Sequence, residues 1–217
     1  MQTTPLFLQT INPQLASRAN EYSSGLVSDL VFNGFGARIV VLLPLATDDG
    51  EITWKTLASR YKISAPGHCL TQKTFQNCGA EGIYYPEGQI PNSQYASKLA
   101  AVLSNFSGSS SWTGIFWGGY AEQQSRANIM GPEDSAFLRP EPYSMIKVPS
   151  AQLGTLLQEH LPSILFDDSV SCVVTQPIYG DRIYVSCEHR LATVLAHEFG
   201  DVFPISPTDS IPDHLPY

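Results

Sequence analysis

Residues 170–187 read Val170-Ser171-Cys172-Val173-Val174-Thr175-Gln176-Pro177-Ile178-Tyr179-Gly180-Asp181-Arg182-Ile183-Tyr184-Val185-Ser186-Cys187. Two runs rich in Val, Ile and Tyr, 170–176 and 182–187, flank Pro177-Ile178-Tyr179-Gly180-Asp181, which has the chemistry of a short hairpin loop. Strands joined this way need a cover, and the following residues supply one. Over 188–199, Leu191, Val194, Leu195 and Phe199 recur at steps of three and four, the spacing of a helix with one apolar side. Gly200 stands where a C-terminal cap is expected. Residues 201–205 then return as an extended segment closed by Pro204 and Pro207. The run 164–206 is expected to form a ββαβ unit, a scaffold whose open face the rest of the chain must cover.

Working outward, the run Ala37-Arg38-Ile39-Val40-Val41-Leu42-Leu43 is almost continuously apolar, which suits a central strand covered on both faces. Asn12 and Pro13 predict a helix start that runs to about Tyr22. Asp48-Asp49-Gly50 reads as a loop, and Thr53 as the cap of a helix ending near Tyr61. The stretch 64–91 holds Pro66, Gly67, Gly79, Gly82, Pro86, Gly88 and Pro91, and reads as an irregular surface excursion with one short strand near 70–75. Asn92 or Ser93 caps a helix to about Asn105, with Tyr95, Leu99, Val102 and Leu103 at helical spacing. A polar link at 107–111 leads to an aromatic strand at 112–117. The polar stretch 121–139 is expected to be irregular. A strand at 143–148 follows, and Ser150 caps a helix through about His160. The expected fold is α+β: a mixed, mostly antiparallel sheet of about five to seven strands with helices packed on it. It is expected to be one domain over 1–217, with a flexible N-terminus over about 1–10 and a tail over about 207–217.

Only 15% of the 217 residues are charged, against roughly 25% in an average domain, while 43% are hydrophobic. The sequence contains no long apolar run for a transmembrane helix. The start, Met1-Gln2-Thr3-Thr4-Pro5-Leu6-Phe7-Leu8, lacks the basic region of a signal peptide. A cytoplasmic location is therefore expected. A net charge of −8 opposes nucleic acid and anionic membrane surfaces as partners and suits a basic protein. Four cysteines, Cys69, Cys78, Cys172 and Cys187, are expected as reduced thiols in that compartment. If the loop is Ile178-Tyr179-Gly180-Asp181, Cys172 and Cys187 fall directly opposite each other. They read as a buried thiol pair, with a cross-strand disulfide as the alternative.

An ordered set of short motifs resembles a family of uncharacterised proteins common in high-GC Gram-positive bacteria. In that family an arginine-bearing strand precedes W-x-x-[VL]-A, matched here by Arg38 and by Trp54-Lys55-Thr56-Leu57-Ala58. A helix start of the form PE-x-G-x-[LI] is matched by Pro86-Glu87-Gly88-Gln89-Ile90, and W-x-G-[LI]-W-x-G-Y by Trp112-Thr113-Gly114-Ile115-Phe116-Trp117-Gly118-Gly119-Tyr120. Pro140-Glu141-Pro142-Tyr143-Ser144-Met145, Asp167-Asp168 and Cys172-Val173-Val174-Thr175 complete the order over about 32–212. The resemblance implies one domain and no known activity. Ser169, Ser171, Gln176 and Ile178 stand where the family carries arginine, tryptophan and an acidic pair, so a site built on those groups is not expected here.

His197-Glu198-Phe199-Gly200-Asp201 is a near neighbour of the zinc-hydrolase pattern, in which two ligands one helical turn apart accompany a glutamate base. His197 and Asp201 have that spacing, and His214, His189 or Asp213 would have to supply a third ligand. The competing reading is a helix end with a histidine placed favourably at the dipole. His68 and Cys69 with Cys78 lack tight ligand spacing, and Cys69 as a nucleophile would need His160 or His189 brought to it. In the aromatic strand, alternation puts Trp112, Gly114 and Phe116 on one face and Ile115 and Trp117 on the other, which reads first as core packing. Its functional alternative is a recess lined by Trp117, Tyr120 and Tyr143. Asp167 and Asp168 read as a solvated turn, or as a paired-carboxylate rim for a cationic partner. No cofactor is expected. Two functions follow: a non-catalytic interaction domain of the immunity-protein kind with an acidic surface, or a metal-dependent hydrolase centred on His197 and Asp201.

Overall fold

The computed structural model of the protein describes residues 26–86, 90, 93–117, 143–159, 161–177 and 180–212. In chain order its elements are strands β1 (Ala37–Leu42), β2 (Leu45–Thr47) and β3 (Gly50–Ile52), helices α1 (Trp54–Arg60) and α2 (Gln72–Gln76), and strand β4 (Ile83–Tyr84). Helix α3 (Ser93–Ser107), strands β5 (Ser111–Trp117) and β6 (Tyr143–Pro149) and helix α4 (Leu153–Glu159) follow. Strands β7 (Ile164–Asp167), β8 (Cys172–Thr175) and β9 (Arg182–Cys187), helix α5 (His189–Glu198) and strand β10 (Val202–Pro204) come last among the described residues.

The described strands form a seven-stranded sheet in the order β10-β1-β9-β8-β7-β5-β6 and a three-stranded sheet in the order β3-β2-β4. Every pairing in both is antiparallel. The fold is α+β, and its C-terminal unit is ββαβ, β8-β9-α5-β10. Strand β10 returns to pair with β1 on the side away from β9. Strand β1 explains its own apolar run. Ile39 and Val41 enter one core with α3, α4 and α5, while Val40 and Leu42 enter a second core with Trp54 and Leu57 of α1 and Phe75 of α2. Burying such side chains stabilises by about 1.5–3 kcal/mol each, so a strand covered twice is held from both faces.

Four local expectations change. Residues 70–75 are not a strand, because Thr71 and Thr74 form a reciprocal capping box that starts α2. Ser150 caps no helix: its hydroxyl donates to the Ser109 carbonyl at 2.5 Å, and α4 starts three residues later. Gly200 is not a left-handed cap. The chain leaves α5 at Phe199 in extended conformation (φ −124°, ψ 124°), which buries Phe199 with its ring 4.8 Å from that of Tyr95. Strands β2, β3 and β4, which make the small sheet, and strand β7, seated between β5 and β8, are additional. Thr53 does cap α1, accepting from the Thr56 amide. The predicted helix from Asn12 and the irregular stretch 121–139 lie outside the described residues.

The described part of the tail is tied down. Val27 N–H donates to the Asp209 carbonyl at 2.8 Å and Ser28 N–H to that of Pro207 at 2.9 Å. The adjoining chain crosses the sheet, where Phe32 N–H donates to Ser186 Oγ at 2.9 Å and Thr175 Oγ1 to the Leu30 carbonyl at 2.5 Å. Phe32 then packs with Ile115, Ile164, Phe166 and Val173.

Candidate functional site

The residues singled out in the sequence take separate places. Trp117 ends β5 and Tyr143 begins β6, and the two positions face each other in register. Tyr120 and His214 lie outside the described residues. Trp112 and Phe116 are buried in the core under α3, and Ile115 faces the opposite side, as alternation predicts.

Asp167 is completely buried, which corrects the expectation of a paired-carboxylate rim. Its Oδ1 accepts the amides of Ser171 at 2.8 Å and Cys172 at 3.2 Å. Its Oδ2 accepts the Ser109 hydroxyl at 2.7 Å, the Ser169 amide at 3.3 Å and the Ser169 hydroxyl. That web holds the tight β7–β8 turn, in which Val170 takes a left-handed φ of 53°. Only Asp168 reaches the surface, and it pairs with Lys147 Nζ at 2.7 Å and accepts the Ser111 hydroxyl. Burial pushes the Asp168 carboxyl up, but hydrogen bonds from Lys147 and Ser111 and the lysine charge outweigh it and hold it below its ordinary value.

His197 and Asp201 are also committed elsewhere. The His197 side chain is 84% exposed, with Nδ1 3.1 Å from Glu198 Oε1. Asp201 is buried and acts as a cap supplied from across the fold: Oδ2 accepts the Trp54 amide at 2.7 Å and Oδ1 the Lys55 amide at 3.2 Å, at the first turn of α1. Burial raises its carboxyl, against the pull of those two amides and the Lys55 charge. Lys55 Nζ reaches the Gly200 carbonyl at 2.5 Å and lies over the Phe203 ring. Among the described residues no group of three or more His, Cys, Asp or Glu could hold a metal ion. Cys69 and Cys78 are exposed thiols of the excursion, while Cys172 and Cys187 are buried, free and directly opposed in register.

The exposed chemistry that does converge is on the small sheet. Thr47 pairs with Gly50, and Asp48 and Asp49 form the turn between them. Gly50 takes φ +119°, a region closed to ordinary side chains, and the Thr47 hydroxyl donates to its carbonyl at 2.8 Å. Ala46 stands opposite both Glu51 and Tyr84, so these two side chains share its face of the sheet. The Tyr84 hydroxyl donates to Asp48 Oδ1 at 3.2 Å. Asp48, Asp49, Glu51 and Glu81 are all exposed, and Tyr84 is 60% exposed, one of two exposed large hydrophobics among the described residues.

Strand alternation anchors this tip. Tyr84 points out while the next residue, Tyr85, packs on Trp54 with ring centroids 5.7 Å apart. Trp54 is fully buried, its indole N–H donates to the Leu43 carbonyl at 2.8 Å, and Phe75 tilts against it at 5.8 Å. Arg182 lies on the far side, its guanidinium 6.0 Å from the indole, bonded to Asp181 and to the carbonyls of His68 and Leu70. Burial, then the charge of Asp181, pushes the Tyr85 hydroxyl up to about 12, so it stays protonated under the tip.

Comparison with protein-family models, curated proteins and solved structures finds no match. The likeness of the motifs at 54–58, 112–120 and 167–175 therefore rests on those residues alone. No helix among the described residues is long and apolar enough to cross a membrane.

Proposed function

We propose that this protein is a non-catalytic interaction domain, of the immunity-protein kind, that engages a basic protein through the acidic tip of its small sheet. The observation that carries the reading is the exposed Tyr84 ring, bonded through its hydroxyl to Asp48 in the acidic Asp48-Asp49 turn and sharing a sheet face with the exposed Glu51, with the exposed Glu81 three residues before it in the chain. Carboxylates on a short hairpin steer a cationic partner at range, and an exposed aromatic gives the contact an apolar centre. The net charge of −8 extends the same field over the molecule. Asp167, a candidate for a partner-facing rim, and Asp201, a candidate metal ligand, both hold backbone amides, and a cytoplasmic setting fits the reduced thiols.

The test is affinity capture with the wild type and with a variant carrying Asp48→Asn, Asp49→Asn, Glu51→Gln and Glu81→Gln, its folding checked by urea unfolding. A single basic protein should be retained by the wild type at low salt, released as salt rises, and not retained by the variant. Equal retention by both forms, or an acidic partner, refutes the reading.

A further inference from the structure

Cys172 is the first residue of β8 and Cys187 the last of β9, so the pair closes the open end of the hairpin, opposite its turn. Directly opposed residues on antiparallel strands have Cα atoms about 4.5 or 5.5 Å apart, depending on the type of pair. Both values fall within the roughly 4.4–6.8 Å that a disulfide spans. The two side chains face the same core, among Val174, Val185 and Leu191. Helix α5 begins two residues beyond Cys187. On the other strand, the Cys172 amide is held by Asp167.

We propose that Cys172 and Cys187 form a redox-responsive staple, joining β8 to β9 at the root of α5 when a small-molecule disulfide such as oxidised glutathione is present. One cysteine thiolate attacks a glutathione sulfur, forming a mixed disulfide and expelling one glutathione thiolate, which takes up the displaced proton. The second cysteine attacks the protein-side sulfur, the Cys172–Cys187 bond forms, and a second glutathione leaves with the second proton. Two electrons pass from the protein pair to the glutathione disulfide.

Access decides when this happens. Both thiols are fully buried, and burial pushes the Cys187 thiol up to about 12 and Cys172 well above its ordinary value, so the folded protein presents almost no thiolate. The bond therefore forms while the hairpin is open, during folding or after transient unfolding. Once inside the core it is shielded from reduction. It closes a ring of about 16 residues, which favours the folded state by roughly 100-fold through the restricted unfolded chain.

The experiment uses the full chain with the exposed Cys69→Ser and Cys78→Ser, leaving only the buried pair. The protein is refolded from denaturant either in reduced glutathione or in a mixture with oxidised glutathione. Peptide mapping of the oxidised product should show a fragment linking Cys172 to Cys187 and a mass lower by two hydrogens. Its urea midpoint should lie above that of the reduced form. Folded oxidised protein should keep the bond in reduced glutathione and lose it when urea is added. Recovery of both cysteines as free thiols or as separate glutathione adducts overturns the proposal, as does a linked product whose midpoint is unchanged.

Discussion

Replacing Asp167 by alanine should be among the most damaging single changes available at a polar position. The carboxylate is fully buried and is the shared acceptor for two backbone amides on Oδ1 and for an amide and two hydroxyls on Oδ2. A hydrogen bond to a charged group contributes about 1.5–3 kcal/mol, and a buried amide left unpaired costs on the order of 1–3 kcal/mol. The serine hydroxyls can turn to other acceptors, but the amides of Ser171 and Cys172 point where the turn aims them. Asp167→Ala should therefore cost about 4 kcal/mol out of the 5–15 kcal/mol typical of a whole domain. Asp167→Asn keeps an oxygen for the two Oδ1 amides and sets an NH2 group against the Ser169 amide. Its cost should be about 1–2 kcal/mol. Urea unfolding reads both: the midpoint should fall by roughly 1–2 M for alanine and by less than half that for asparagine, with unchanged slope. An alanine variant within about 0.2 M of wild type would show that the carboxylate does not organise the turn, and with it would go the reason for removing Asp167 from the binding surface.

Removal of the Asp201 cap by Asp201→Ala should cost about 1–2 kcal/mol, measured in the same assay, because two amides of the first turn of α1 lose their acceptor. Since burial raises the Asp201 carboxyl, its contribution is fullest below the unfolded-state value and is lost as pH rises through the folded one. The gap between wild type and Asp201→Asn should thus narrow as pH rises through and above the ordinary aspartate range, and a widening gap would contradict the sign. Asp168 runs the other way: its lowered carboxyl stabilises above the ordinary range and loses that contribution as pH falls through the folded value. Asp168→Asn should cost under about 1 kcal/mol at neutral pH, less at high salt, because the pair with Lys147 is half exposed. A Cβ on Gly67 would stand 1.9 Å from the Phe203 ring. Gly67→Ala should cost about 1–3 kcal/mol, and much of that should vanish when combined with Phe203→Leu; strict additivity of the two changes would refute the contact.

Periodicity exposed the central sheet, because β1, β5, β8 and β9 each announce themselves through an apolar or alternating run and a bounding turn. The register of Cys172 on Cys187 followed from the loop length alone. Strand β7 stayed hidden for a physical reason. Ile164-Leu165-Phe166 is too short to show a period, and it becomes a strand only because β5 and β8 leave a slot between them. Helix α2 was hidden by composition, since a Thr71 and Thr74 box in a glycine- and proline-rich stretch carries none of the acidic signature of a usual capping box. At Gly200 and Ser150, common cap residues were given other duties by tertiary contacts: burial of Phe199 in one case, a tie to the Ser109 carbonyl in the other.

The carboxylates show why the candidate site was harder to read than the fold. Asp167, Asp168 and Asp201 drew attention because they stood beside recognisable neighbours, another aspartate or a histidine. A carboxylate's chemistry is set by the donors that meet it in space: for Asp167 these are amides and a hydroxyl of its own turn together with the Ser109 hydroxyl, and for Asp201 two amides from another element altogether. Each such amide makes the group a better structural anchor and a poorer ligand, because the lone pairs a metal or a partner would use are already engaged. Two of the exposed acidic residues, Asp48 and Asp49, occupy the least distinctive setting in the chain, a turn closed by Gly50. A hairpin turn forces its central side chains away from the sheet whatever they are, so charge placed there stays hydrated and presented. The acidic tip therefore presents its charge to solvent with no part of the fold unmade.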